Sequence, residues 1–272
     1  MKLMYITNQP EVALIAEEAG VDRIFVDMEY IGKQERQGGM DTVQSRHTVE
    51  DAKILRGVIK KSEILVRCNP IHPGTDKYVS SEEEIEAVVQ SGADVVMLPY
   101  FKTIAEVQRF LSIVKGRTRT CLLLETPEAV EIVDEIMELA GVDEIFVGLN
   151  DLSLGYHKKF MFELLADGTV EMLAAKFKKK GMPFGFGGIA AVGQGALPAE
   201  RILAEHCRLG STAVILSRSF CNVAKMKDLA EVQQKFAQGV PAIRKCEAEN
   251  ERKFAFFRDN IMAIKEIARK MQ

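Results

Sequence analysis

Two acids stand at the ends of apolar runs: Glu125 closes TCLLLET at 120–126, and Asp151 follows EIFVGLN at 144–150. Carboxylates projecting from the ends of neighbouring buried strands can converge on one small cation. Two hard oxygen ligands, with the other positions left to water and substrate, is how Mg2+ or Mn2+ is usually held. The sequence offers no His cluster at zinc spacing and no calcium loop as a rival. Each acid also has a local alternative. Thr126 can cap a helix that opens on Pro127, and NDLS around Asp151 is itself cap-like. Arg67 follows the apolar run EILV, and its planar, permanently charged fork suits a substrate carboxylate. Its alternative is a salt bridge to Asp27 or Glu29 at the end of the preceding run, and the two roles can coexist.

A third group of residues suits an anion. The stretch GFGGIAAVGQGALPAE at 185–200 supplies small residues and free backbone N–H groups. Gly187 and Gly188, with Ser217 and Arg218 after the last apolar run, fall where phosphate often binds in a barrel, although such a loop can also serve simply as a turn. His47 lies in the long loop after the second run, on the same rim, and is a candidate for proton transfer. His72 and His157 read as loop residues, and His206 as a helical, structural one. No GxSxG elbow occurs, and the five cysteines form no CxxC pair.

These groups need a frame that brings them to one place. Eight short apolar runs, starting near residues 2, 23, 63, 94, 120, 144, 183 and 213, alternate with segments of helical period such as SEEEIEAVVQSG. Near-continuous apolar strands imply burial on both faces, as in a parallel sheet. Eight strand–helix units with right-handed crossovers predict an α/β fold, a (β/α)8 TIM barrel over residues 1–239. The rival is a doubly wound open sheet, which would usually carry a Gly-rich phosphate turn after its first strand; YITNQPEV has none. Residues 240–272 read as a C-terminal helical extension opening near Pro241. Its stripe of Phe256, Phe257, Ile261, Ile264 and Ile267 packs on the barrel or on a neighbouring subunit.

Composition narrows the partners. A formal charge of -3 and no basic tract interleaved with aromatics argue against nucleic acid. An odd cysteine number fits free thiols in a reducing cytoplasm, and no apolar stretch is long enough for a membrane span. The expectation is a soluble, cytoplasmic protein acting on a small molecule.

The stretches AGVDRIFVDME, ILVRCN, GADVVMLP, LLLETPEAVEIVDEI and GVDEIFVGLNDLSLG, in that order, resemble the HpcH/HpaI aldolase and citrate lyase β-subunit family over roughly residues 12–220. The resemblance implies a carbon–carbon lyase with Mg2+ or Mn2+ on Glu125 and Asp151. It also implies a 2-oxo acid such as pyruvate held by Arg67 as its enolate forms, and a homo-oligomer, a trimer or hexamer. The sequence departs from that family in its proton-transfer half. Tyr30 stands where the family has His, Gln90 where it has the partner acid, and Leu123 where it has a polar residue. A base must then come from Tyr30, His47 or a water on the metal. GLND and ETPEA also resemble phosphoenolpyruvate-utilising enzymes, in which the match to Asn150 contacts phosphate. A phospho-acid enzyme is therefore one alternative, and a non-catalytic member that keeps the fold for binding is another.

Overall fold

The computed structural model describes residues 1–33, 45–250 and 256–271. All eight apolar runs become strands: β1 (Lys2–Ile6), β2 (Arg23–Asp27), β3 (Glu63–Arg67), β4 (Val95–Leu98), β5 (Arg119–Leu124), β6 (Glu144–Val147), β7 (Phe184–Ile189) and β8 (Ala213–Leu216). They are parallel and close into a barrel in chain order, β8 pairing with β1. The two-residue period of a strand sorts each run into two layers. Met4, Phe25, Leu65, Met97, Leu123 and Phe146 fill the barrel interior. Their neighbours Leu3, Ile24, Ile64, Val96 and Leu122 face outward into the larger core under the helices.

At the end where the strands begin, the barrel is closed by charge. Arg23, 1% exposed, reaches Glu63 at 2.8 Å and Glu144 at 2.7 Å. That end is therefore blocked, and the opposite end is left for chemistry.

The helices in chain order are α1 (Pro10–Glu18), α2 (Val49–Val58), α3 (Ser81–Gln90), α4 (Ile104–Val114), α5 (Pro127–Glu131), α6 (Val133–Ile136), α7 (Leu149–Gly155), α8 (Glu163–Ala166), α9 (Thr169–Lys180), α10 (Ala199–Leu209), α11 (Leu229–Asn250) and α12 (Phe256–Lys270). Helices α2, α3 and α4 open with reciprocal capping boxes, Thr48 with Asp51, Ser80 with Glu83 and Thr103 with Glu106. Helix α9 ends its lysine run at Gly181, whose φ of 67° is the left-handed stop that glycine favours.

The C-terminal region differs from the sequence expectation. Helix α11 runs through residues 239–240, so the boundary placed there falls inside a helix, and Pro241 is internal rather than in a first turn. An internal proline costs about 3 kcal/mol. Val232, Phe236, Val240 and Ile243 are buried on both sides of it, which offsets that loss. Gly239 allows the close approach: a Cβ there would lie 2.5 Å from the Phe220 ring. Helix α12 packs on α8 and α10 of its own chain. It buries Ile264 and Ala268, and Asn260 donates to Arg201 O and Glu205 Oε1, each at 3.0 Å. Phe257, Ile261 and Ile267 are half-buried there, and the Phe256 side chain lies outside the described residues.

His206 on α10 is structural, as its position suggested. Its ring stacks on Phe186 with centroids 3.7 Å apart, and its Nδ1 meets Ser211 Oγ at 2.8 Å. Burial pushes its pKa down from 6.5 to about 3. Below pH 6.5 the unfolded chain then takes up a proton that the folded chain refuses. Stability should fall as pH drops from 6.5, at roughly 1.4 kcal/mol per unit, and the loss should level off near pH 3. Urea titrations at pH 7 and 5 should show the wild type losing about 2 kcal/mol more than His206→Gln. Equal losses in the two proteins would remove His206 as the source.

Candidate active site

At the C-terminal ends of the strands opens a cavity of about 440 Å³. Phe25, Met97, Leu123 and Phe146, from the interior layer, give it an apolar floor. Polar groups at the strand ends and in the following loops form its walls.

The Arg67 side of the wall follows from strand register. Asp27 and Arg67 are paired neighbours on β2 and β3. Arg67 donates from Nε to Asp27 Oδ1 and from Nη2 to Asp27 Oδ2, each at 2.8 Å, and its Nη1 lies 3.2 Å from Glu29 Oε2. Phe25 supports the fork from below, with its ring centroid 5.4 Å from Cζ. Burial opposes the charge on Arg67, but Asp27 and Glu29 outweigh it and hold the guanidinium's pKa above its usual value. The ion-pair alternative for Arg67 is thus present, yet Arg67 still lines the cavity. Two of its five N–H groups go to Asp27 and Nη1 also faces Glu29, so the fork keeps at most two donors, one on each terminal nitrogen, for a second anion.

Lys33 completes this cluster and carries no sequence signature. It is 4% exposed, lines the cavity, and sits 3.0 Å from Asp27 Oδ2 and 3.4 Å from Glu29 Oε2. Two cations and two acids therefore balance. His47 also lines the cavity, with its Nδ1 accepting the Asp27 N–H at 3.0 Å. Tyr30 does not belong with them. It is 46% exposed, rests against the Tyr78 ring with centroids 5.6 Å apart, and is absent from the cavity lining. Its backbone explains the turn away: Asn69 Oδ1 accepts the N–H groups of both Tyr30 and Ile31 at 3.0 Å. Gln90 is likewise remote, exposed at the end of α3 and bonded to Glu86.

Glu125 and Asp151 both stand at the mouth of the barrel. Both are buried, at 3% and 7% exposure, and both line the mouth cavity and a smaller one beside it that includes Tyr100 and Lys102. Glu125 Oε1 accepts the Tyr100 N–H at 3.0 Å, and Tyr100 adopts a left-handed φ of 49°. Asp151 stands in the first turn of α7, where a carboxylate is favoured by the helix end. These two acids and Arg218 are the further charged groups among the described residues that line the cavity. Among the described residues no group of three or more His, Cys, Asp or Glu is placed to hold a metal. A cation here would rest on two carboxylates and take its remaining oxygens from water or substrate, a donor set that suits Mg2+ or Mn2+.

Gly148 makes room for this arrangement. A Cβ at that position would come within 2.7 Å of Glu125 Oε2 and 2.8 Å of Glu125 Cβ. Gly148→Ala is therefore expected to displace Glu125 and weaken divalent-cation binding by about tenfold or more, with a stability loss of about 1–3 kcal/mol. Calorimetric titration with Mn2+ and a thermal melt check both; unchanged affinity would show that Glu125 is not a ligand.

The anion-binding candidates line the same cavity: Asn150, Gly187, Gly188, Ser217 and Arg218. Strand β7 shifts register between Gly185 and Gly188. At Gly187, with φ of 54°, a Cβ would lie 2.8 Å from Leu149 Cδ1, so the close approach there requires glycine. Arg218 is exposed on the rim, and Ser217 Oγ accepts the Ser219 N–H at 3.2 Å.

Comparison with known proteins agrees with this frame. The profile of the HpcH/HpaI aldolase/citrate lyase family matches residues 2–184. An HpcH/HpaI aldolase from Desulfitobacterium hafniense superposes with a TM-score of 0.56 at 18% identity, over 90% of this chain and 93% of that one. An HpcH/HpaI aldolase/citrate lyase family protein from Burkholderia cenocepacia gives 0.60 at 15% identity, over 85% of this chain and 94% of that one. No curated protein matches the chain. Among the described residues, no helix is long and apolar enough to cross a membrane.

Proposed function

Because the chain belongs to the HpcH/HpaI aldolase/citrate lyase family, we propose that it is a divalent-metal-dependent carbon–carbon lyase for a 2-oxo acid aldol or a related acid. The observation that carries this reading is the shared cavity, which gathers Arg67, Glu125 and Asp151 over an apolar floor. Glu125 and Asp151 would hold Mg2+ or Mn2+, which when bound supplies Lewis-acid polarisation of the substrate carbonyl. Arg67, fixed in place by Asp27, would present its remaining N–H groups to the substrate carboxylate and share the charge of the enolate that develops as the bond breaks. Phe25, Met97, Leu123 and Phe146 keep water from the floor, which strengthens each of these contacts.

Release of pyruvate or another 2-oxo acid from a panel of aldols, assayed with added Mg2+ and Mn2+, tests the reading. A second reading is favoured by Asn150, Gly187, Gly188, Ser217 and Arg218 lining the same cavity: an enzyme of phosphoenolpyruvate or another phospho-acid. Phosphate release from phosphoenolpyruvate, without cleavage of any aldol, would replace the first reading by the second. A protein that binds no divalent cation and turns over neither class would be a non-catalytic member of the family.

A further inference from the structure

We propose that His47 serves this site as a neutral hydrogen-bond donor through Nε2–H, and not as its proton acceptor. The inference rests on the lyase reading above, and one bond carries it: Asp27 N–H donates to His47 Nδ1 at 3.0 Å. A nitrogen that accepts a hydrogen bond presents its lone pair, so the proton of the neutral ring sits on Nε2. The other two protonation states, the imidazolium and the Nδ1–H tautomer, would each set two N–H groups head to head. A general base must offer a free lone pair. With Nδ1 engaged, this ring has none.

The partner is held firmly. Asp27 is 2% exposed, its amide belongs to the last residue of β2, and its carboxylate is bonded to Arg67 and Lys33. The groups facing the ring agree with a neutral state. Burial pushes the pKa of His47 below its ordinary value and Lys33 pushes the same way, against the pull of Asp27 and Asp51. The ring lines the cavity with Arg67 and Glu125. As the carbon–carbon bond breaks, charge builds on the oxygen of the nascent enolate. A neutral N–H donor fixed beside it stabilises that charge without gaining or losing a proton. Proton transfer in this chain then falls to a group other than His47.

Two measurements decide the matter. The first is 15N NMR of histidine-labelled protein, with His47 assigned among the four histidines by difference from His47→Gln. A protonated Nε2 and an unprotonated Nδ1 at pH 7 are expected; a proton on Nδ1 overturns the proposal whether or not the protein is a lyase. The second uses oxalate, a stable planar mimic of the enolate, titrated into Mn2+-loaded protein. His47→Ala is expected to weaken oxalate by about 10- to 100-fold with Mn2+ affinity unchanged, and His47→Gln, whose amide donates, to recover most of the loss. Unchanged oxalate binding in His47→Ala overturns the donor role alone. A wild type that binds neither Mn2+ nor oxalate overturns the lyase reading and the donor role together.

Discussion

Arg67→Lys is expected to lower kcat/KM by about 100-fold or more while leaving Mn2+ affinity within about twofold. Lysine keeps the positive charge, so the test separates charge from shape. Asp27 accepts two N–H bonds from Arg67, each at 2.8 Å, and a substrate carboxylate would need a further pair. An ammonium has three donors on one atom and cannot present two parallel pairs in one plane. The substitution should also reduce stability, because Asp27 is buried and loses half of its bidentate partner. Breaking a buried pair outright costs about 3–5 kcal/mol, and lysine is expected to retain part of it. Burial opposes the charge on Asp27, yet Arg67 and Lys33 hold its carboxyl well below the usual carboxylate range. The cluster's contribution is therefore complete above about pH 4 and lost as pH falls further. Steady-state kinetics, Mn2+ calorimetry and a melt at pH 7 check the three parts. Unchanged turnover would remove Arg67 from the site, and a parallel loss of metal affinity would point to a collapsed rim.

The barrel was legible because both faces of each strand are buried, which writes the strands as unbroken runs of apolar residues. Strand ends were legible too, since the first charged or polar residues after each run mark where the apolar layers give way to the mouth of the barrel. Glu125 and Asp151 could be placed on one rim on that ground alone, as adjacent strands in a barrel have adjacent ends, and both line the same cavity. The loops carry no such period. Lys33 enters the Asp27–Glu29–Arg67 cluster from the stretch after β2, where no spacing rule relates a lysine to a strand end. Tyr30 was misplaced for the same reason. It follows Glu29 directly, but Asn69 captures its amide and turns the ring toward Tyr78. At the C-terminus, Pro241 suggested a helix start because proline favours first turns. The apolar stripe from Val232 to Ile243 outweighed that local preference. Periodicity reports burial well, and hydrogen bonds between distant segments hardly at all.

Glu125→Gln separates a metal ligand from a local anchor more sharply than alanine would. The amide keeps an oxygen to accept the Tyr100 N–H, now bonded to Glu125 Oε1 at 3.0 Å, and nearly the same volume against Gly148. What it removes is the charge. If Glu125 only anchors the left-handed backbone at Tyr100, the variant should behave like the wild type in every respect. If Glu125 and Asp151 grip a cation, the behaviour splits by condition. In chelator the variant should stay close to the wild type in stability, because the Tyr100 contact is kept and the cost of burying a charge is removed. With Mn2+ at about 100 times its dissociation constant the wild type should gain about 2.7 kcal/mol, visible as a rise in melting temperature. Glu125→Gln should lose nearly all of that gain, and Asp151→Asn should lose it too. The double variant should be no worse than either single one, since removing a second ligand from a site already emptied changes nothing further. Additive, partial losses would instead describe two carboxylates that do not share one ion, and the lyase chemistry would lose its centre.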